Sequence, residues 1–94
     1  MDVVKTEIVT DKKQFLELMN KGWEKSRYTK GTYGLKKKGH QYCCAMGAAA
    51  LGAGVPPGYL IIHFDDVHEG QITTANDKAG SKRAARKAVT ELLS

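Results

Sequence analysis

Cysteine, proline, acidic residues and long apolar runs are all in short supply in this chain, and each shortage removes a class of protein. The two cysteines, Cys43 and Cys44, are adjacent, so a mutual disulfide would be strained and no disulfide scaffold holds the chain together. They read as free thiols of a reducing compartment. No stretch approaches the roughly 18 to 20 consecutive apolar residues that span a bilayer, and the first residues carry acids and a lysine but no apolar signal core. The reading is a cytoplasmic protein, or one of the host cytoplasm if a phage encodes it, that does not enter a membrane. Glycines from Gly47 to Gly54 are not followed by Lys-Ser or Lys-Thr, which argues against a nucleotide-hydrolysing phosphate loop. The 10 acidic against 15 basic residues and net charge of +5 also argue against an inhibitor that works by imitating DNA.

What is present fits one domain. Ninety-four residues, 41% of them hydrophobic, suffice for one core and not two, and a chain of this size buries only about 60 to 65% of its unfolded surface. Close packing through small residues therefore matters, and the abundant Ala and Gly supply it.

Val3, Val4, Ile8 and Val9 suggest an edge strand. Asp11 stands three residues ahead of Gln14, a capping-box spacing, and Phe15, Leu16, Leu18, Met19 and Trp23 follow at helical intervals; a first helix is expected over 12–22. Residues 26–41 mix Gly31, Gly34 and Gly39 with Tyr28, Tyr33 and three successive lysines, the composition of a loop with a short hairpin. Tyr42 to Leu51 is apolar and small all round, as a buried helix is, and Gly52, Gly54 and Pro56-Pro57-Gly58 end it. Tyr59 to Phe64 reads as a strand, and Ile72-Thr73-Thr74 as a second strand able to pair with it as a hairpin. The last helix is marked by Ala84, Ala85, Ala88, Val89, Leu92 and Leu93 on one face, with Ser81 as N-cap. The expected fold is α+β: a single small domain of about three helices with a short antiparallel hairpin or sheet, built on a central buried Ala/Gly-rich helix.

Trp23, Tyr28-Thr29-Lys30-Gly31 with Leu35, Cys43-Cys44-Ala45-Met46-Gly47, and Asn76-Asp77 ahead of the last helix occur in an order that resembles a group of small uncharacterised phage and bacterial proteins. Their shared core reads Trp, Tyr-x-x-Gly-x-x-x-Leu, Cys-Cys-Leu-Gly or Cys-Ala-Leu-Gly, and Asn-Asp. The resemblance covers about residues 22–93, with Met46 in place of the usual Leu and Lys30 where Gln is frequent. It implies a shared fold and a phage or prophage setting, and no reaction.

Three constellations carry possible chemistry. Cys43 and Cys44 at a helix start, with His63 and then Asn76 or Asp77 downstream, follow the Cys, His, Asn/Asp order of thiol hydrolases and transferases; the plainer reading makes the cysteines, like Trp23, small-domain core residues. Asn76-Asp77 is then a turn or cap leading into the last helix. His63-Phe64-Asp65-Asp66-Val67-His68-Glu69 is dense in potential metal ligands, but its spacing matches no zinc pattern, and a solvated turn is the simpler reading. No cofactor is implied.

The third constellation is basic. Lys25, Arg27, Lys30, Lys36, Lys37 and Lys38 occupy an acid-free stretch with Tyr28, Tyr33 and Tyr42 interleaved, and Lys78, Lys82, Arg83, Arg86 and Lys87 form a second group. Cations beside flat rings are what single-stranded nucleic-acid binders use for phosphates and bases; lysines serving solubility alone are the bland alternative. The expectation is a small phage-type accessory binding protein whose surface, centred on Lys25, Arg27, Tyr28, Lys30, Tyr33, Lys36, Lys37, Lys38, Arg83 and Arg86, engages nucleic acid or an acidic host protein that it inhibits. The alternative is a cysteine-dependent hydrolase or transferase using Cys43 or Cys44 with His63 and Asp77.

Overall fold

The computed structural model describes residues 5–94; the expected strand residues Val3 and Val4 lie outside the described residues. Nine elements follow in the order β1 (Glu7–Val9), α1 (Lys12–Glu24), β2 (Arg27–Tyr28), β3 (Gly34–Lys37), β4 (His40–Cys43), α2 (Ala45–Ala53), β5 (Leu60–Ile62), α3 (Glu69–Ala79) and α4 (Lys82–Leu92). They form a single α+β domain of four helices and two small sheets.

Asp11 caps α1, its carboxylate accepting from the Lys13 amide at 3.1 Å in place of the capping box expected with Gln14. The helix buries Phe15, Met19, Gly22 and Trp23 along one stripe. α2 is buried nearly all round and ends in a left-handed Gly54, whose amide returns to the Leu51 carbonyl while that of Val55 reaches Ala50. These two helices touch backbone to backbone. A Cβ on Gly22 would stand 1.7 Å from the Ala48 carbonyl oxygen, and one on Gly52 would stand 2.0 Å from that of Leu18. Glycine at both places is what allows so small a core to close.

β3 and β4 form the hairpin expected between residues 26 and 41, antiparallel with Leu35 opposite Tyr42. Its turn residues, Lys38 and Gly39, both have positive φ (51° and 80°), the backbone shape that matches the twist of a two-residue hairpin. β2 joins the other side of β4 in parallel, giving the order β2-β4-β3.

Several expectations are corrected, beginning with the helix count, which is four among the described residues and not about three because α3 forms where a strand was expected. The central helix begins at Ala45, not Tyr42: Tyr42 and Cys43 complete β4, and Cys44 is the N-cap. Ile72-Thr73-Thr74 is not a strand but part of α3, where Ile72 is fully buried and Ala75 and Ala79 pack behind it; the β-branched threonines give way to a helical apolar face. Asn76-Asp77 consequently lies inside α3 and not in a turn. β5, left without the hairpin partner expected for it, pairs in parallel with β1, Ile8 opposite Ile61. α4 starts after Ser81, whose hydroxyl accepts from the Ala84 amide at 3.2 Å.

Candidate functional site

Two regions gather the residues singled out by the sequence: a junction around Asn76, and a basic face at the ends of α1 and α4.

The junction is built on a fully buried Asn76. Its Oδ1 accepts from the Ala45 amide at 3.0 Å, and its Nδ2 donates to the Thr29 carbonyl at 3.1 Å and to Asp77 Oδ1 at 3.0 Å. Asp77 Oδ1 also accepts from the Gly31 amide at 3.2 Å. Tyr28 donates its hydroxyl proton to the Asn76 carbonyl at 2.5 Å and accepts from the Gly80 amide at 3.2 Å. Trp23 Nε1 donates to the Cys43 carbonyl at 3.0 Å. Trp23, Tyr28, Gly31, Cys43, Cys44, Asn76 and Asp77, scattered over the chain, thus meet at one place, and most of their polar atoms satisfy one another.

Beside this network lies a cavity of about 390 Å³ lined by Gly31, Thr32, Tyr33, Cys44, Thr73 and Asp77. Tyr33 closes one side, its carbonyl accepting from the Cys44 amide at 3.2 Å and its hydroxyl hydrogen-bonded to Glu69. Gly47 permits this approach, since a Cβ there would fall 1.7 Å from the Tyr33 carbonyl oxygen. Cys44 is almost wholly buried. Burial raises its thiol pKa, the amides of Gly47 and Met46 at the helix start act against that rise, and the Asp77 carboxylate and Cys43 add to it. Cys43 is pushed up by burial too, partly offset by Ser26 and Gln41. Both thiols stay protonated at neutral pH.

Asp77 therefore meets Cys44, but as a carboxylate that opposes thiolate formation. His63 is not brought to them. It follows β5, exposed, its amide bonded to the Val9 carbonyl at 2.9 Å, and it lines a different hollow that runs from Ile61 to Glu69 with Asp65 and His68. Among the described residues no group of three or more His, Cys, Asp or Glu is arranged to hold a metal ion.

The basic face has a less obvious anchor. The Lys82 ammonium, in the first turn of α4, donates to the Trp23 carbonyl at 2.7 Å and the Ser26 carbonyl at 2.6 Å, satisfying acceptors at the C-terminal end of α1 and favoured there by the helix dipole. Arg27 follows Ser26 directly, and Arg86 is one helical turn beyond Lys82. Burial lowers the Lys82 pKa, and the charges of Arg86 and Arg27 lower it further. The two basic segments of the sequence are thereby joined in space. Lys25, Arg27, Lys36 and His40 line a groove of about 370 Å³ together with one acid, Glu24. Lys37 and Lys38 extend it along the hairpin, exposed, as are Lys30 and Arg83. Among the described residues the one ion pair is Lys12–Asp66, at 2.7 Å, so none of these cations is paired with a described carboxylate.

The tyrosines do not follow suit. Tyr28 is turned inward by its two hydrogen bonds and Tyr33 belongs to the cavity, leaving a half-buried Tyr42, in register with Arg27 and Leu35, as the ring on the basic sheet. Lys82 was seen in the sequence only as one member of a basic group; a lone lysine just after a Ser N-cap carried no sign of its tether. No helix among the described residues is long and apolar enough to cross a membrane. Comparison of the chain with protein-family models, curated proteins and solved structures gives no match.

Proposed function

We propose that this protein is a small accessory binding module, of the kind phages carry, whose basic face engages an acidic macromolecule, nucleic acid before an acidic host protein. The observation that carries the reading is the meeting of the two basic segments across the Lys82 tether, with no carboxylate among the described residues paired to either. Unpaired cations gathered on one face cost stability through mutual repulsion and raise the local concentration of polyanions. A surface serving solubility alone would be better mixed in sign.

The test is binding of a fluorescent single-stranded oligonucleotide followed against salt. Neutralising three to five phosphates gives a slope of log K against log salt of about −2 to −3.5 for a single strand. No binding at low ionic strength would rule out nucleic acid and leave an acidic protein as the partner to be sought.

A further inference from the structure

We propose that the cavity between the loop of residues 31–33 and α3 is a binding site for a small organic amine, held as its ammonium ion by the Asp77 carboxylate. The site stands apart from the polyanion reading: Gly31, Thr32, Tyr33, Cys44, Thr73 and Asp77 line it, with no Lys, Arg or His among them.

The side chains of this lining offer acceptors and almost no donors. Asp77 accepts from the Gly31 amide at 3.2 Å and from Asn76 Nδ2 at 3.0 Å, both on Oδ1. Those two bonds fix the carboxylate plane, while Oδ2 takes no bond from a described residue and is not sealed from solvent. The Thr73 hydroxyl donates its one proton to the Gly70 carbonyl at 3.2 Å, and that of Thr32 turns to the Gly34 carbonyl at 3.5 Å. Both oxygens therefore keep lone pairs for a donor from outside. The Tyr33 hydroxyl is engaged with Glu69, and a thiol such as that of Cys44 is a weak donor at most. An ammonium group, three donors and no acceptor on a positive charge, is the complement of such a lining. An anion would face the Asp77 charge with no cation to offset it, and a neutral ligand would leave that charge unpaired. A metal ion is not served either, since among the described residues no group of three or more His, Cys, Asp or Glu is arranged to hold one. The volume of about 390 Å³ falls at the lower end of the range of about 300 to 1,000 Å³ usual for ligand sites. The Tyr33 ring and the Cys44 sulfur add apolar surface for a short alkyl chain behind the charge.

The test uses three four-carbon probes, n-butylammonium, 1-butanol and butyrate, titrated at pH 7 and constant ionic strength into the full chain while its backbone amide resonances are followed by NMR. Saturable shifts centred on the lining residues are expected with butylammonium, at a Kd of about 1 mM. Butanol should bind about ten-fold more weakly and butyrate should leave those resonances unmoved. Asp77→Asn keeps the accepting Oδ1 and puts an amide donor in place of Oδ2, so it should weaken butylammonium by about ten-fold or more. Thr73→Val, which keeps the shape and removes the hydroxyl, should weaken it by about three-fold. The spectra themselves report whether each variant is folded. Affinity unchanged in Asp77→Asn, equal binding of butanol, no saturable shift, or shifts that gather instead at the exposed Asp65 and Asp66 would overturn the site. Should Asp77→Asn fail to fold, affinity unchanged in Thr73→Val would overturn it as well.

Discussion

The side chain of Asn76 caps a helix to which it does not belong: its Oδ1 accepts from the Ala45 amide, at the first position of α2, at 3.0 Å. Cys44, the residue in the N-cap position, makes no side-chain capping bond, so a group from α3 takes over the task normally met locally. The same side chain holds the loop after β2 through Thr29.

Replacing Asn76 with Ala is expected to lower stability by about 2 to 4 kcal/mol, because a buried amide and a buried carbonyl lose their partners together. Asn76→Asp keeps an acceptor but loses the donor and sets a second carboxylate against Asp77, so it should also destabilise, and less in acid than at neutral pH. Urea unfolding of both variants at two pH values is the check. A midpoint unchanged in Asn76→Ala would show that the network does not hold the junction.

The contact between α1 and α2 makes an equally sharp demand. Gly22→Ala and Gly52→Ala each drive a methyl into a backbone carbonyl, which no rotamer change relieves, and about 3 kcal/mol or more of destabilisation is expected for each. Gly70→Ala in α3 meets nothing within 4 Å, and should leave stability unchanged or raise it by up to about 1 kcal/mol. Thermal unfolding of the three variants side by side separates close packing from a general intolerance of change.

Both cysteines ionise later in the folded chain than in the unfolded one. The stabilisation this confers is complete below the ordinary thiol range. It is lost progressively as pH rises beyond about 8.5, since the unfolded chain then releases protons that the folded chain retains. A double Cys43→Ala, Cys44→Ala variant should show a flatter alkaline fall in stability. Alkylation of the native protein should be slow at pH 7; rapid reaction with a thiol pKa below the usual range would revive the cysteine nucleophile.

Removing either neighbouring positive charge should ease protonation of Lys82. Arg27→Gln and Arg86→Gln are each expected to raise its pKa toward the usual lysine value, readable from the Lys82 Cε resonance titrated with pH. A titration unmoved in both variants would mean that the three charges are not neighbours. Lys82→Met, which strips two carbonyls of their donor, should cost about 1 to 3 kcal/mol.

The elements legible in the sequence were those whose signals are local. Asp11 and Ser81 announced α1 and α4 through capping chemistry, and the Lys38-Gly39 turn lay within the stretch expected to hold a hairpin. Ile72-Thr73-Thr74 misled because two threonines speak for a strand locally, while the evidence for a helix lay in Ile72, Ala75 and Ala79 all finding the core. The parallel pairing of β1 with β5 joins residues about fifty positions apart and left no local trace. Of the site, the residues were visible and their roles were not. Tyr28, expected among the binding rings, and Asp77, expected in a turn or, in the alternative, as the partner of a Cys-His pair, are both engaged in hydrogen bonds within the junction. The network around Asn76 depends on three backbone segments arriving together, which spacing alone does not encode.

The hairpin turn at Lys38 and Gly39 divides the chain between its most closely packed pair of helices, α1 before it and α2 after it, and between the paired strands β1 and β5. A single cut at that lysine-rich tip would place Val9, Phe15, Met19 and Trp23 on one piece and the rest of the core that they pack against on the other, keeping every contact between α1 and α2. The protein is thus arranged as two complementing halves joined at an exposed end, and a nick there should leave a bound pair that unfolds in a concentration-dependent way.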